Sequence, residues 1–225
     1  MKELIVFILS GGFGTRLRRV VSDVPKPMAP ILDKPFLEYQ VELIRDYLPF
    51  AKIYLLTYYK SEIIENHFKG DKNIEILKED EPLGTGGSIK NAIDKLKISK
   101  DEKLLIFNGD TYVKPDLEEF LKNESPVAIL GSYQEKCDRY GTLSIENDYV
   151  VDFNEKDKDA KNSYINAGCY LFNELKFFEK IGDKVFSIED KFKEYLLKNR
   201  ISLFRYNDVF IDTFPEGIGL NFFSK

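Results

Sequence analysis

The stretch Leu9-Ser10-Gly11-Gly12-Phe13-Gly14-Thr15-Arg16-Leu17 directly follows an apolar run. Glycines in such a turn let the backbone approach a polyphosphate and present its N–H groups. Arg16 can then clamp phosphate oxygens through its planar fork of donors. Pro25-Lys26-Pro27-Met28 adds a second cation on a backbone stiffened by two prolines. Asn108-Gly109-Asp110 closes another apolar run, and a carboxylate at the carboxyl end of a strand is well placed to hold Mg²⁺, a hard cation that prefers oxygen ligands. The loop is not a Walker loop, because no Gly-Lys-Ser/Thr follows at the required spacing. Leu17 stands where a dinucleotide fingerprint needs its third glycine.

These groups need rigid elements beneath them. Glu3 to Leu9, Ala51 to Thr57 and Lys103 to Asn108 are near-continuous apolar runs of the kind that form parallel strands covered on both faces. Leu37, Val41, Ile44 and Leu48 share one helical face, as do Ile89, Ala92, Ile93 and Leu96, and Pro35 suits the first turn of the earlier helix. Alternating strands and helices predict an α/β, doubly wound, mostly parallel Rossmann-like sheet whose ligands gather at the strands' carboxyl ends. After Asn123 the pattern changes: Pro126 to Tyr133, Gly141 to Glu146 and Tyr149 to Phe153 read as short strands of a small antiparallel insertion or lid, the last two joined by Asn147 and Asp148. Tyr164 to Phe172 reads as a further strand, Ser187 to Lys198 as a helix and Ile201 to Asp212 as closing strands.

The 225 residues, 43% of them hydrophobic, are expected to form one domain with residues 1–123 and 124–225 as its halves. Basic and acidic residues number 33 and 38 for a net charge of -5, without long runs of one sign, which argues against nucleic acid as a partner. No apolar run approaches the roughly 20 residues of a membrane span, and the start of the chain lacks a signal-peptide pattern. Cys137 and Cys169 form neither a disulfide framework nor a zinc site, so a reducing cytoplasm fits best. His67 lies in a helical stretch from Ser61 to Phe68 and receives no role, and Asp157-Lys158-Asp159 reads as a solvated loop.

The glycine-rich loop together with the proline-flanked Lys26 resembles the opening signature of the sugar nucleotidyltransferases, which join a nucleoside triphosphate to a sugar 1-phosphate and release pyrophosphate. The resemblance continues through Glu81-Pro82-Leu83-Gly84-Thr85-Gly86-Gly87-Ser88. It implies that Leu9, Ser10, Gly11, Gly12, Gly14, Thr15, Arg16, Glu81, Pro82, Gly84, Thr85, Asn108 and Gly109 bind the nucleotide, with Arg16, Lys26 and Asp110 catalytic. Matches at Tyr140-Gly141, Phe153-Asn154-Glu155-Lys156 and Asn166-Ala167-Gly168 imply a sugar-phosphate pocket formed by Gly141, Glu155, Lys156, Asn166, Ala167 and Gly168. Phe210-Ile211-Asp212 resembles the strand supplying a second Mg²⁺ ligand, Asp212, although Phe214 stands where the family usually has glycine. Arg18-Arg19 also departs from the family's Leu-x-Pro continuation.

The wording of these motifs, with Val24 to Pro30 and Pro35 to Glu38, most resembles the branch that makes GDP-heptose from GTP and D-glycero-D-manno-heptose 1-phosphate. A pair of UTP, dTTP or CTP with a hexose 1-phosphate is the nearest alternative. A nucleotide-sugar-dependent glycosyltransferase is a reading of another class, but it would not need the triphosphate loop or Lys26. A non-catalytic regulator would be expected to have lost Arg16, Lys26, Asp110 and Lys156. Some relatives append an acyltransferase solenoid, for which 225 residues leave no room, so a single activity is expected; a homo-oligomer is left open.

Overall fold

The computed structural model describes residues 4–13 and 23–212. Gly14, Thr15, Arg16, Leu17, Arg18, Arg19 and Phe214 lie outside the described residues.

In chain order the elements are β1 (Leu4–Leu9), a 3₁₀ turn (Lys26–Met28), β2 (Pro30–Ile31), β3 (Lys34–Pro35), α1 (Phe36–Tyr47), β4 (Ile53–Thr57), α2 (Ser61–His67) and β5 (Ile74–Lys78). There follow α3 (Gly84–Leu96), β6 (Lys103–Asn108), β7 (Thr111–Val113), α4 (Leu117–Leu121), β8 (Val127–Lys136), β9 (Leu143–Glu146) and β10 (Tyr149–Phe153). The last are β11 (Lys161–Phe172), α5 (Lys176–Glu179), α6 (Ile188–Leu196), β12 (Ile201–Tyr206) and β13 (Phe210–Asp212).

Nine strands form one sheet in the order β5-β4-β1-β6-β11-β8-β12-β10-β9. The β5, β4, β1 and β6 ladder is parallel throughout. Its first strand in sequence lies inside the ladder, so successive crossovers run one way as far as β5 and then reverse to reach β6. That reversal opens a crevice at the carboxyl ends of β1 and β6.

The apolar runs are continuous because both faces are covered. Val6 and Ile8 of β1, with Leu105 and Phe107 of β6, pack into a cluster with Leu37, Val41 and Ile44 of α1 and Ile64 of α2. Phe7, Leu104 and Ile106 point the other way, onto Ile89, Ala92 and Ile93 of α3 and Ile188 and Phe192 of α6. Fully burying each of these side chains other than Ala92 contributes about 1.5–3 kcal/mol. Ser187 caps α6 by accepting from Asp190 N–H.

The three strands read from sequence as a small antiparallel insertion, β8, β9 and β10, belong to this same sheet. β8 pairs antiparallel with β11 and parallel with β12, and β10 pairs antiparallel with β12 and β9. Asn147 takes the left-handed conformation, φ 56°, in the two-residue turn between β9 and β10. The edge strand β5 and the short strands β2, β3 and β7 had no separate sequence assignment.

Phe192 is fully buried, stacked on Phe153 with ring centroids 5.5 Å apart and in contact with Tyr170, Phe172 and Phe177. Phe192→Ala is expected to cost about 3–5 kcal/mol of folding stability, read as a lowered urea midpoint with an unchanged slope.

Candidate active site

The strand order brings the loops that follow β1 and β6 side by side. Leu9 and Asn108 are register partners at the ends of β1 and β6. Gly109 N–H donates to Leu9 O at 2.9 Å. A Cβ at Gly109 would stand 2.6 Å from that oxygen and 2.8 Å from Ser10 Oγ, so only glycine lets these loops touch. Ser10 is buried and its N–H donates to Leu56 O of β4 at 2.7 Å. Gly11 lies against Tyr58, and Gly12 is exposed with open space around it.

Lys26 begins the 3₁₀ turn between Pro25 and Pro27. Its ammonium donates to Asp110 Oδ2 at 2.6 Å and to Asp212 Oδ1 at 3.1 Å. β13 pairs with β7 so that Asp212 lies opposite Thr111, the neighbour of Asp110, and this pairing brings the two carboxylates together. The Lys26 and Asp212 side chains are each 12% exposed and that of Asp110 41%, so the cluster opens on the Asp110 side. Tyr140 OH donates to Asp212 Oδ2 at 3.4 Å, and Arg139 Nη2 lies 3.9 Å from the same oxygen. Burial first, and then the Asp212 carboxylate, push the Tyr140 phenol up to about 12, with Arg139 opposing. Tyr140 is therefore a neutral donor at working pH.

Asp110 and Asp212 bring two negative charges, offset by Lys26 and, at the edge of ion-pair range, by Arg139. A phosphate oxygen set directly against either carboxylate would be repelled, by roughly 1–4 kcal/mol for a pair of like charges 4 Å apart. Two carboxylates are the share of ligands that a protein commonly gives a hard divalent cation when substrate phosphates and water supply the rest. Among the described residues no group of three or more His, Cys, Asp and Glu gathers at one point. The Asp110–Asp212 pair therefore fits a divalent metal shared with a polyphosphate.

The stretch from Glu81 to Ser88 is held from the far side of α3. Gly84, with φ +73°, would place a Cβ 2.6 Å from Phe186 O, and Gly86 N–H and Gly87 N–H both donate to that oxygen. Phe186 N–H returns a bond to Leu83 O at 3.0 Å. Thr85 Oγ1 accepts from Ile188 N–H at 2.9 Å and donates to Glu189 Oε2 at 3.3 Å. Glu81 is ion-paired with Lys184. Behind the loop, buried Glu79 accepts from Ser88 Oγ and from Leu83 N–H.

On the other side, β11 carries an irregularity. Asn166 pairs with Gly131 and Tyr170 with Ile129, so a step of four residues on β11 matches a step of two on β8. The bulge pushes Asn166 to Gly168 toward the Asp110 turn, where Thr111 Oγ1 donates to Ala167 O at 3.3 Å. Asn166 Oδ1 accepts from Gly168 N–H at 3.1 Å, and Asn166 Nδ2 donates to Tyr170 OH at 2.9 Å and to Glu189 Oε1 at 3.5 Å. Gly141 packs against Asn154 O.

The model of the nucleotidyl transferase family matches residues 5–199. The chain belongs to this family. It is 39% identical over 209 residues, 91% of this chain and 92% of the relative, to the D-glycero-alpha-D-manno-heptose 1-phosphate guanylyltransferase of Campylobacter jejuni. It is 39% identical over 202 residues, 85% of each chain, to the enzyme of the same name from Aneurinibacillus thermoaerophilus. The crystal structure of HddC from Yersinia pseudotuberculosis complexed with GMP-PN superposes with a TM-score of 0.79 and 33% identity, covering 100% of this chain and 97% of that one.

This nucleotidyl transferase thus brings Leu9, Ser10, Gly11, Lys26, Asn108, Gly109, Asp110 and Asp212 to one crevice, with Asn166, Ala167 and Gly168 on its flank. Glu155 and Lys156 are both exposed, Glu155 pairs with Lys193 of α6 at 2.9 Å, and they follow Asn154, whose carbonyl Gly141 packs against. His67 pairs with Glu38 at 2.8 Å on the outer side of α1. Three residues went unread in the sequence. Glu189 collects hydrogen bonds from Asn166, Tyr170, Thr85 and Ser187; its only local signal was an acidic residue in a helix's first turn. Arg139 sits beside the recognised Tyr140-Gly141 motif. Gln40 lay hidden on an apolar helix face.

Burial raises the Glu79 carboxyl above its ordinary range, and the Ser88 hydroxyl and Leu83 N–H only partly offset it. The folded chain therefore holds this proton more tightly than the unfolded one, and the associated stability is lost as pH rises through the raised value. Relative to Glu79→Gln, the unsubstituted protein is expected to lose melting temperature as pH is raised from about 4 to about 7; a constant difference across that range would contradict this.

Proposed function

We propose that this chain joins GTP to D-glycero-α-D-manno-heptose 1-phosphate, giving GDP-heptose and pyrophosphate for a surface polysaccharide. The observation that carries the reading is the ammonium of Lys26 between Asp110 and Asp212 at the crevice formed by β1 and β6. Its substrates are supported by the names of the two 39%-identical relatives and by the GMP-PN bound to HddC.

Mg²⁺ held by Asp110 and Asp212 would neutralise the triphosphate and make its α-phosphorus more electrophilic. The protein's own groups perform the rest. The N–H groups of Gly11 and Gly12 together with Arg16 hold the β- and γ-phosphates and stabilise the departing pyrophosphate. Lys26 offers an ammonium to the phosphate oxygens and draws the two anions together against their repulsion. Asn166 and Gly168 form the wall for the sugar, with Glu189 fixing the Asn166 amide. Tyr140 keeps Asp212 oriented through its hydroxyl. An oxygen of the sugar phosphate attacks the α-phosphorus in line with the leaving pyrophosphate, and no covalent enzyme intermediate forms.

The test is pyrophosphate release with Mg²⁺ across GTP, CTP, UTP, TTP and ATP, each against the heptose phosphate, mannose 1-phosphate and glucose 1-phosphate, with product mass for every hit. Turnover confined to GTP and the heptose phosphate is expected. Turnover with a different pair would correct the substrates, and none from folded protein would contradict the reading. Asp110→Ala is expected to lower kcat by roughly 10²- to 10³-fold or more while the melting curve stays cooperative.

A further inference from the structure

We propose that Gln40 of α1 is a positioning residue for the metal-binding carboxylate, fixing the backbone turn that carries Asp110. The inference rests on the function proposed above and concerns a side chain that touches neither phosphate nor sugar.

Gln40 is 1% exposed and sits among apolar neighbours on a helix face that packs on the sheet. Its Nε2 donates to Asn108 O at 2.7 Å and to Thr111 O at 2.5 Å. These two carbonyls bracket Gly109 and Asp110, so one amide spans the turn from end to end. The carboxamide has two N–H donors in a fixed plane and gives one to each carbonyl. Gln40 Oε1 has no hydrogen-bond partner among the described residues, although it is buried. A buried polar side chain with an unpaired oxygen is retained at a cost. Here its donors supply what no apolar residue of the same shape could.

Three other contacts grip the same turn. Gly109 N–H is tied to Leu9 O, Thr111 Oγ1 to Ala167 O, and Thr111 pairs across to Asp212 in the β7 and β13 ladder. Each of these joins the turn to the sheet, the β11 bulge or β13. Gln40 instead ties it to α1, whose first residue is bonded back to the end of the Lys26 turn across the short β2 and β3 hairpin: Phe36 N–H donates to Ala29 O at 3.0 Å. One helix therefore carries the fixed point for both the lysine and the carboxylate it meets. A support of this kind acts on the ligand's aim, and loss of such outer partners typically costs about 10- to 100-fold in metal affinity or activity.

Gln40→Met keeps the length and removes both donors; Gln40→Glu keeps the shape and turns an oxygen toward the carbonyls. Each is compared with the unsubstituted protein and with Asp110→Asn in three measurements. These are Mn²⁺ binding to the protein alone, followed by loss of the free-ion EPR signal; kcat and KM for GTP with the Mg²⁺ dependence of turnover; and thermal melting. In whichever variant melts cooperatively, Mn²⁺ affinity is expected to fall about 10-fold or more. The kcat should fall by a similar factor and half-saturating Mg²⁺ should rise. The KM for GTP should stay within about twofold, since Gln40 does not reach the nucleotide. Unchanged Mn²⁺ affinity and kcat in a folded variant would overturn the proposal, as would losses that follow melting temperature with the metal dependence intact. Absence of turnover in the unsubstituted protein would instead strike at the proposed reaction, while weakened Mn²⁺ binding in the variants would still support the role of Gln40.

Discussion

Lys26 reaches 84 residues along the chain to Asp110 and 186 to Asp212, and the meeting of these three charges is the constraint that the surrounding architecture satisfies. Two partly buried carboxylates that close repel each other unless a cation lies between them. Each needs independent support, because an ion pair alone does not fix a position to within a few tenths of an ångström. Asp110 is held by a turn pinned on several sides, Asp212 by its strand pairing and by Tyr140, and Lys26 by two prolines and the start of α1. A divalent cation bringing its own triphosphate would meet two carboxylates already held in place, with the Lys26 ammonium to be turned from them toward the phosphates.

The doubly wound sheet supplies this support in the place where it is useful. The reversal of strand order between β5 and β6 leaves the ends of β1 and β6 uncovered by a crossover, and the register of Leu9 with Asn108 sets the glycine-rich loop beside the Asp110 turn. The antiparallel strands extend the sheet past β6, so the β11 bulge abuts the Asp110 turn. The loop from Glu81 to Ser88 faces two ways. Its glycines press on Lys184 to Ile188, and Thr85 binds the first turn of α6, linking the nucleotide-side motif to Glu189 and, through it, to Asn166. Several residues of this motif thus serve the packing between the two halves as well as any contact with the nucleotide.

Much of this was readable from the sequence because the signals were local. β1, β4 and β6 announced themselves as apolar runs, since a strand covered on both faces has no polar alternation. α1 and α3 showed helical spacing for the opposite reason, having one wet face. β5 was missed because it is an edge strand of five residues with every side chain at least partly exposed. The strands after Asn123 were found, but their place in the main sheet was not, because alternation reports a half-buried face and not the neighbouring strand. Lys26 and Asp110 were legible through flanking prolines and the strand-ending Asn-Gly-Asp. Glu189, Arg139 and Gln40 were not: each acts through a partner distant in sequence, and nothing in a single glutamine on a helix tells which carbonyls it will face.

In the proposed mechanism Asp110 and Asp212 form one metal site from which Lys26 turns to phosphate. Crystals grown with Mn²⁺ and a non-hydrolysable GTP analogue test it directly through the anomalous signal of the metal. One strong peak is expected within bonding distance of both carboxylates and of a phosphate oxygen, with the Lys26 ammonium moved from the aspartates onto the nucleotide. A peak bound to neither aspartate, or a nucleotide seated with Lys26 still bridging Asp110 and Asp212, would contradict it.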